Sequence, residues 1–365
     1  ALHDQALEIV QSRDRIPAPG FTHGGLIDNF WQDARHVRGI WRRTTMDSYL
    51  EAEPRWETIL DFDALAAAEG ANWVYKGATC LPPEETRCLV NLSDGGKDAV
   101  VVREFDRATR TFVDGSFNLP ESKGGASWID ADTLLVSRDF GPGSLTTSGY
   151  PMIVKVLKRG QTMDQATTVF TGQPTDVSVS GYALRDADGV IQATLINRGV
   201  SFYECETHRL NADGTQVRKV RQHAEGESFT HEFWVPDGSA LFYVAHKEGS
   251  PHRYLCAADP VTLENRELMT IPPCSHLMSN HDGSRVVGDG APHKTGAIDL
   301  NDPFIWVFDV QRGSQTAVCQ HNTSWKVLDG DRQVTHPHPS FSPDGKWVLY
   351  TSDAEGMPAL YLAAV

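Results

Sequence analysis

Gln333-Val334-Thr335-His336-Pro337-His338-Pro339-Ser340-Phe341-Ser342-Pro343-Asp344-Gly345 is the stretch whose reading decides the fold of this chain. Its Ser342-Pro343-Asp344-Gly345 end is a tight turn: Pro343 presets φ, Asp344 can bond its own backbone, and Gly345 accepts a positive φ. Lys346-Trp347-Val348-Leu349-Tyr350-Thr351-Ser352 follows, a run of strand formers. A strand, a tight turn and a second strand are the beginning of a β-propeller blade. The same stretch holds a candidate metal site. His336 and His338 are two apart, so an extended strand would turn both imidazoles to one centre, and Gln333 can add an oxygen.

Outward from this stretch the same unit repeats. Phe233-Trp234-Val235-Pro236-Asp237-Gly238 and Met278-Ser279-Asn280-His281-Asp282-Gly283 each lead through an Asp-Gly turn into a second apolar run. Further turn markers stand at Asp94-Gly95, Asp130-Ala131-Asp132 and Asp188-Gly189. Their mean spacing is about 50 residues, the length of one four-stranded blade. Between them lie short β-rich runs, at 37–45, 73–78, 87–92, 99–105, 133–137, 152–157, 193–196, 240–245, 253–257, 285–288 and 304–310. The expectation is an all-β chain, a seven-bladed β-propeller in a single ring of four-stranded blades, with the last blade stopping after three strands near residue 365. Residues 2–12 carry Leu2, Ala6, Ile9 and Val10 at helical spacing ahead of Pro17 and Pro19, which predicts a short lead-in helix. A second short helix is expected at 63–69.

Composition narrows the function classes. The 365 residues are 40% hydrophobic, enough for a sizeable core. Lys and Arg number 33 against 48 Asp and Glu, a formal charge of −15. That balance argues against a nucleic-acid partner, which needs a positive face, and a polyanionic ligand would need a local site working against the global field. No apolar run approaches the roughly 18 residues that span a bilayer, so no membrane partner is expected. No protein partner is evident either. The six cysteines (Cys80, Cys88, Cys205, Cys256, Cys274, Cys319) form no Cys-x-x-Cys pair and sit in strand-like runs, which predicts free thiols. With no leader pattern at Ala1-Leu2-His3-Asp4-Gln5, a cytoplasmic, reducing location is expected. Of the 14 histidines only His3, His23 and His36 precede residue 200, and that asymmetry suggests two parts with different tasks.

Two resemblances meet in the chain. Ile27-Asp28-Asn29-Phe30-Trp31, Gly39-Ile40-Trp41-Arg42-Arg43-Thr44-Thr45, Lys76-Gly77-Ala78-Thr79-Cys80-Leu81-Pro82-Pro83, Leu92-Ser93-Asp94-Gly95-Gly96 and Asn197-Arg198-Gly199-Val200-Ser201-Phe202-Tyr203 resemble the propeller domain of bacterial prolyl oligopeptidases. In that family the propeller gates a separate hydrolase domain. No Gly-x-Ser-x-Gly stands in this sequence, so peptidase activity is not expected. Thr230-His231-Glu232-Phe233-Trp234-Val235-Pro236-Asp237-Gly238, Pro273-Cys274-Ser275-His276, Val286-Val287-Gly288-Asp289-Gly290, Asn301-Asp302-Pro303-Phe304 and the run from Thr323-Ser324-Trp325 to Phe341 resemble oligogalacturonate lyase. The organisation expected is a lead-in at 1–24, about four oligopeptidase-like blades at 25–210 and about three lyase-like blades at 211–365. Because neither resemblance crosses the join near residue 210, the sequence reads as an engineered chimera of two half-propellers.

The lyase resemblance implies a manganese ion, or another divalent metal, held by His276, Gln333, His336 and His338. Three imidazoles and an amide oxygen leave positions for water or the carboxylate of a small uronate ligand, which suits Mn²⁺ better than a closed thiolate site would. The resemblance also implies a catalytic role for His231, whose ordinary pKa range suits proton transfer. At the position where the lyases carry an arginine this chain has Glu206, and Arg209 is out of register by an odd number, which reverses its face on a strand. A carboxylate cannot replace a guanidinium's two-pronged grip on an anion. Two readings result: a metal-binding chimeric propeller without complete catalytic machinery, or a working Mn-dependent lyase that cleaves oligogalacturonides by β-elimination. His246, His252, His281, His293 and His321 are expected to be surface or packing residues.

Overall fold

A computed structural model of the protein describes residues 2–12, 17–186, 188–211, 217–221, 225–295, 298–326 and 335–365. The chain divides into two units, residues 1–183 with 194–218, and residues 184–193 with 219–365. Among the described residues it forms seven sheets of three to five strands and one two-stranded hairpin. Strands follow one another in sequence order within a sheet, as in Gly125–Asp130, Thr133–Ser137, Ile153–Lys158 and Thr167–Thr171. The last sheet has the three strands expected, Ser340–Phe341, Trp347–Ser352 and Ala359–Ala364. The expected helices are Leu2–Gln11 and Phe62–Glu69, the second opened by the Asp61 carboxylate accepting Ala64 N–H and closed by Gly70 at φ 61°. No helix of the described residues is long and apolar enough to cross a membrane.

Alternate side chains of one strand explain why consecutive sheets stack face to face. In the first unit Leu89 joins Val102 and Leu119 against Trp128, Leu134 and Val136 of the next sheet. Its neighbour Val90 points the other way, into a cluster with Trp41, Leu60 and Phe62. Leu134 and Leu135 repeat the device, Leu135 packing on Val154, Val179 and Ile196. The second unit is built alike: Val286 packs with Phe242, Val244, Leu255 and Leu277, while Val287 packs with Ile305, Val348 and Tyr350. Each fully buried Leu or Val contributes about 1.5–3 kcal/mol, and a strand buried on both faces supplies two cores at once. This is the packing of a β-propeller.

The Asp-Gly turns hold neighbouring sheets as well as reversing the chain. Gly345 has φ 66°, and its carbonyl accepts a 2.6 Å hydrogen bond from Arg285 Nη2, on the preceding sheet. A side chain there would lie 2.6 Å from that nitrogen. Glycine suits the positive φ, and any β-carbon there would have to displace the Arg285 guanidinium.

The expectation of six free thiols is corrected. Cys80 and Cys88 are bonded as a disulfide, and the four remaining cysteines are free. The pair is directly opposed across the antiparallel strands Trp73–Cys80 and Arg87–Asp94. Spacing in sequence does not show such a pairing, because it depends on the register of the two strands.

Candidate metal centre

Three histidines of the second unit come together. The rings of His276 and His338 are 3.6 Å apart between centroids, those of His276 and His336 5.0 Å, and those of His336 and His338 5.4 Å. One ring nitrogen from each lies within 4.8 Å of those of the others. Ligand nitrogens sharing one first-row cation are about 3–4 Å apart, so small ring rotations suffice to close the set on an ion. Gln333 lies outside the described residues.

Local backbone features aim each ring. His276 sits in strand Cys274–Ser279 at a β-bulge, where the partner strand runs one residue short: Cys274 pairs with Gly290 and Leu277 with Gly288. The extra residue turns His276 out of the regular alternation. His231 occupies the same kind of place in strand Glu227–Trp234, between the pairs Thr230 with Val244 and Phe233 with Phe242, at φ 56°. His336 and His338 do not lie on an extended strand, contrary to the alternation argument. Residues 335–339 are outside regular structure, and His338 has φ 45°. They share a centre because the left-handed backbone at His338 re-aims its side chain.

That strained segment is held from two sides. Thr351 N–H donates to Pro337 O at 2.8 Å, tying it to strand Trp347–Ser352. The segment at 321–326 forms a wall beside it. Trp325, at φ 55°, packs its ring 5.0 Å from that of His336, and Ser324 N–H and Oγ–H both donate to the buried Asp353 carboxylate, at 2.7 and 2.5 Å. His321 is 2% exposed and fully engaged, Nδ1 accepting from Thr323 N–H and Nε2 donating toward Gly290 O, so it is the packing residue expected. His231, Asn322, Trp325 and His338 are non-glycine residues with positive φ. Strain of that kind concentrates at functional sites.

Asp289 escaped the sequence reading. It is wholly buried, and it accepts the N–H groups of Ser275 and His276 on Oδ1, at 3.1 and 2.7 Å, and lies 2.8 Å from His276 Nδ1 through Oδ2. Its one sequence signal is a carboxylate between two glycines inside a strand, Arg285–Gly290, that is otherwise apolar after its first residue.

The electrostatics favour neutral imidazoles. Burial and the neighbouring His276 hold His336 and His338 below 6.5, which keeps nitrogen lone pairs free at neutral pH. His231, 6.1 Å from His276 between ring centroids, is lowered by the same two causes. Burial pushes the nearby Cys274 thiol well above 9.0, with Asp289 and Asp302 adding to it, so in the metal-free protein that sulfur is a neutral thiol. The chemistry available is that of an imidazole site for a borderline cation.

Glu206 belongs to the first unit. Its carboxylate accepts Arg198 Nη1 at 3.2 Å and lies 3.0 Å from His208 Nε2, the same-face neighbour on strand Cys205–Leu210. Arg198 is itself bound through Nε and Nη2 to both oxygens of buried Asp176. His246 is part-buried with Nε2 3.2 Å from Thr230 Oγ1, and His252 and His281 are exposed. The side chain of His293 lies outside the described residues.

Comparisons with known proteins find both resemblances, and they correct the expectation that neither crosses residue 210, because the two family models overlap over residues 185–272. The family model for the prolyl oligopeptidase N-terminal beta-propeller domain matches residues 3–272, and that for oligogalacturonate lyase matches residues 185–365. An uncharacterized peptidase of Sinorhizobium fredii is 52% identical over 215 residues, 59% of this chain and 30% of that protein. The oligogalacturonate lyase of Dickeya dadantii is 59% identical over 162 residues, 43% of this chain and 42% of that protein. The chain therefore spans less than half the length of either curated relative. A solved oligogalacturonate lyase in complex with manganese superposes with a TM-score of 0.55 at 32% identity, covering 95% of this chain and 88% of that one.

Proposed function

The chain belongs both to the prolyl oligopeptidase N-terminal beta-propeller domain family and to the oligogalacturonate lyases, and on that premise we propose that it is a metal-dependent lyase that cleaves oligogalacturonides by β-elimination. His276, His336 and His338, with Gln333, would hold a divalent cation, and the solved lyase in complex with manganese supports Mn²⁺. A bound divalent cation supplies Lewis-acid polarisation of a uronate carboxylate, which makes the adjoining C5 proton more acidic. The observation that carries this reading is the convergence of three imidazoles, with a ring nitrogen of each within 4.8 Å of the others.

This chain's own residues do the rest. His276 is oriented by Asp289, His336 is backed by Trp325, and His338 is exposed at the open side. His231 stands beside the cluster with its pKa lowered, so it is a neutral imidazole able to accept a proton. Mixing oligogalacturonate with the protein and Mn²⁺ should raise the ultraviolet absorbance as the unsaturated product forms. The absence of a rise above a His336→Ala control would remove the lyase reading.

A second reading is favoured by Glu206. It occupies the position at which the lyase resemblance expects an arginine, and its carboxylate is committed to Arg198 and His208. On this reading the protein binds a divalent metal, and small uronates weakly, without completing elimination. Both readings accommodate a chimeric origin, in which oligopeptidase-like sheets were joined to lyase-like ones near residue 210, by engineering. What supports it is that relatives of both kinds align with this chain at more than half identity. Sheets that contact mainly their sequence neighbours tolerate such a graft.

A further inference from the structure

We infer that Asp289 is a positioning residue that fixes the tautomer of His276, and that it doubles as the cap of the bulge on which His276 sits. The metal-affinity part of this inference rests on the metal reading above; the tautomer part does not.

Asp289 is an anomaly of burial. Val286, Val287 and Gly288 are buried strand residues, and Asp289 follows them at 0% exposure. A carboxylate is removed from water at that depth only where donors replace the lost hydration. Three donors do so here. Ser275 and His276 are the residues that the bulge frees from strand pairing, and Oδ1 accepts both of their N–H groups. Oδ2 faces His276 Nδ1 at 2.8 Å.

Oδ1 accepts two backbone N–H groups, and Oδ2, 2.8 Å from His276 Nδ1, is placed as an acceptor too, so we assign the hydrogen to Nδ1. In a neutral imidazole the other nitrogen, Nε2, then keeps its lone pair. Nε2 is the atom left to join His336 and His338, and its direction is set because the ring is pinned by Nδ1 and the backbone by the same side chain.

Asp289→Asn separates the two roles. The carboxamide oxygen can still cap the Ser275 and His276 N–H groups, so the bulge survives. The amide N–H then faces Nδ1, which must become an acceptor, and the hydrogen moves to Nε2. The lone pair needed for a ligand is lost although nothing has moved.

The test has a metal-free arm and a metal arm. Long-range ¹H–¹⁵N correlation spectra of the metal-free protein, with His276 assigned by its loss in His276→Gln, should show the Nδ1–H tautomer in the wild type and Nε2–H in Asp289→Asn. Titration calorimetry with Mn²⁺ should show about 10–100-fold weaker binding for Asp289→Asn. An Nε2–H tautomer in the wild type overturns the inference, and this holds even if the variant fails to fold. Wild-type Mn²⁺ affinity in a folded Asp289→Asn overturns it as well. Should the wild type bind no Mn²⁺, the metal reading falls and the tautomer spectra alone decide this one.

Discussion

The imidazoles of His276 and His338 lie 3.6 Å apart between ring centroids at an interplanar angle of 33°, although 61 residues separate them in the chain (338 − 276 − 1). Two rings that close, with Asp289 against His276 and the His336 ring 5.0 and 5.4 Å from the pair, leave each nitrogen few places to point. His338→Ala should therefore weaken Mn²⁺ binding by more than the roughly 10–100-fold that follows loss of an outer-shell partner. Calorimetric titration of both proteins checks it, and equal affinities would place the cation elsewhere.

Asp353 holds the wall behind His336. Burial alone would raise its pKa, but the hydrogen bonds from Ser324 O–H and N–H outweigh that and lower it. Asp353→Ala frees Ser324 and, through it, Trp325. We expect Mn²⁺ affinity to fall toward the lower end of the about 10–100-fold range, with a change in tryptophan fluorescence that the wild type shows only on unfolding.

Acid sensitivity should have a component traceable to Asp33 in the first unit. Burial raises its pKa, but N–H bonds from His36 and Arg35 and from the Trp31 indole outweigh that, and the value falls from 3.8 to about 2. The folded state therefore holds fewer protons than the unfolded chain between those values. The stabilisation is complete above 3.8 and is lost as pH falls through about 2. Asp33→Asn should remove about 2 kcal/mol of stability at neutral pH, and the gap from wild type should close in denaturant melts as the pH approaches 2.

Thiol titration of the unfolded, unreduced protein should count four reactive groups and not six. Reducing the Cys80–Cys88 bond, which closes a loop with a sequence separation of 8, should cost about 2–3 kcal/mol by loop entropy. A count of six would restore the sequence expectation.

Gly345→Ala should destabilise the protein by more than the roughly 0.4–1 kcal/mol that an unstrained glycine replacement would add. The new methyl would require a left-handed backbone and would crowd Arg285 Nη2 at 2.6 Å. Thermal melts of the variant, with Gly115→Ala as a turn comparison where φ is 65° and a β-carbon would meet nothing within 4 Å, separate the contact from the conformation.

By itself the sequence determined the β-rich runs, the Asp-Gly turns and the short helices, because these depend on local propensity and on a period of two. The expected run at 133–137 is the strand Thr133–Ser137, and that at 253–257 extends by one residue to Ala258. No spacing in the sequence joined His276 to His336 and His338; only the lyase resemblance implied that set, and the alternation expected for His336 and His338 is not how the two come to share a centre. Tertiary structure alone decided how they are aimed. The bulge at His276, the positive φ of His338, the Asp289 carboxylate beneath one ring and Trp325 beside another all depend on register and packing between strands far apart in the chain. Those relationships have no period along the sequence. The Cys80–Cys88 bond escaped for the same reason: two cysteines face one another only once the register of their strands is fixed.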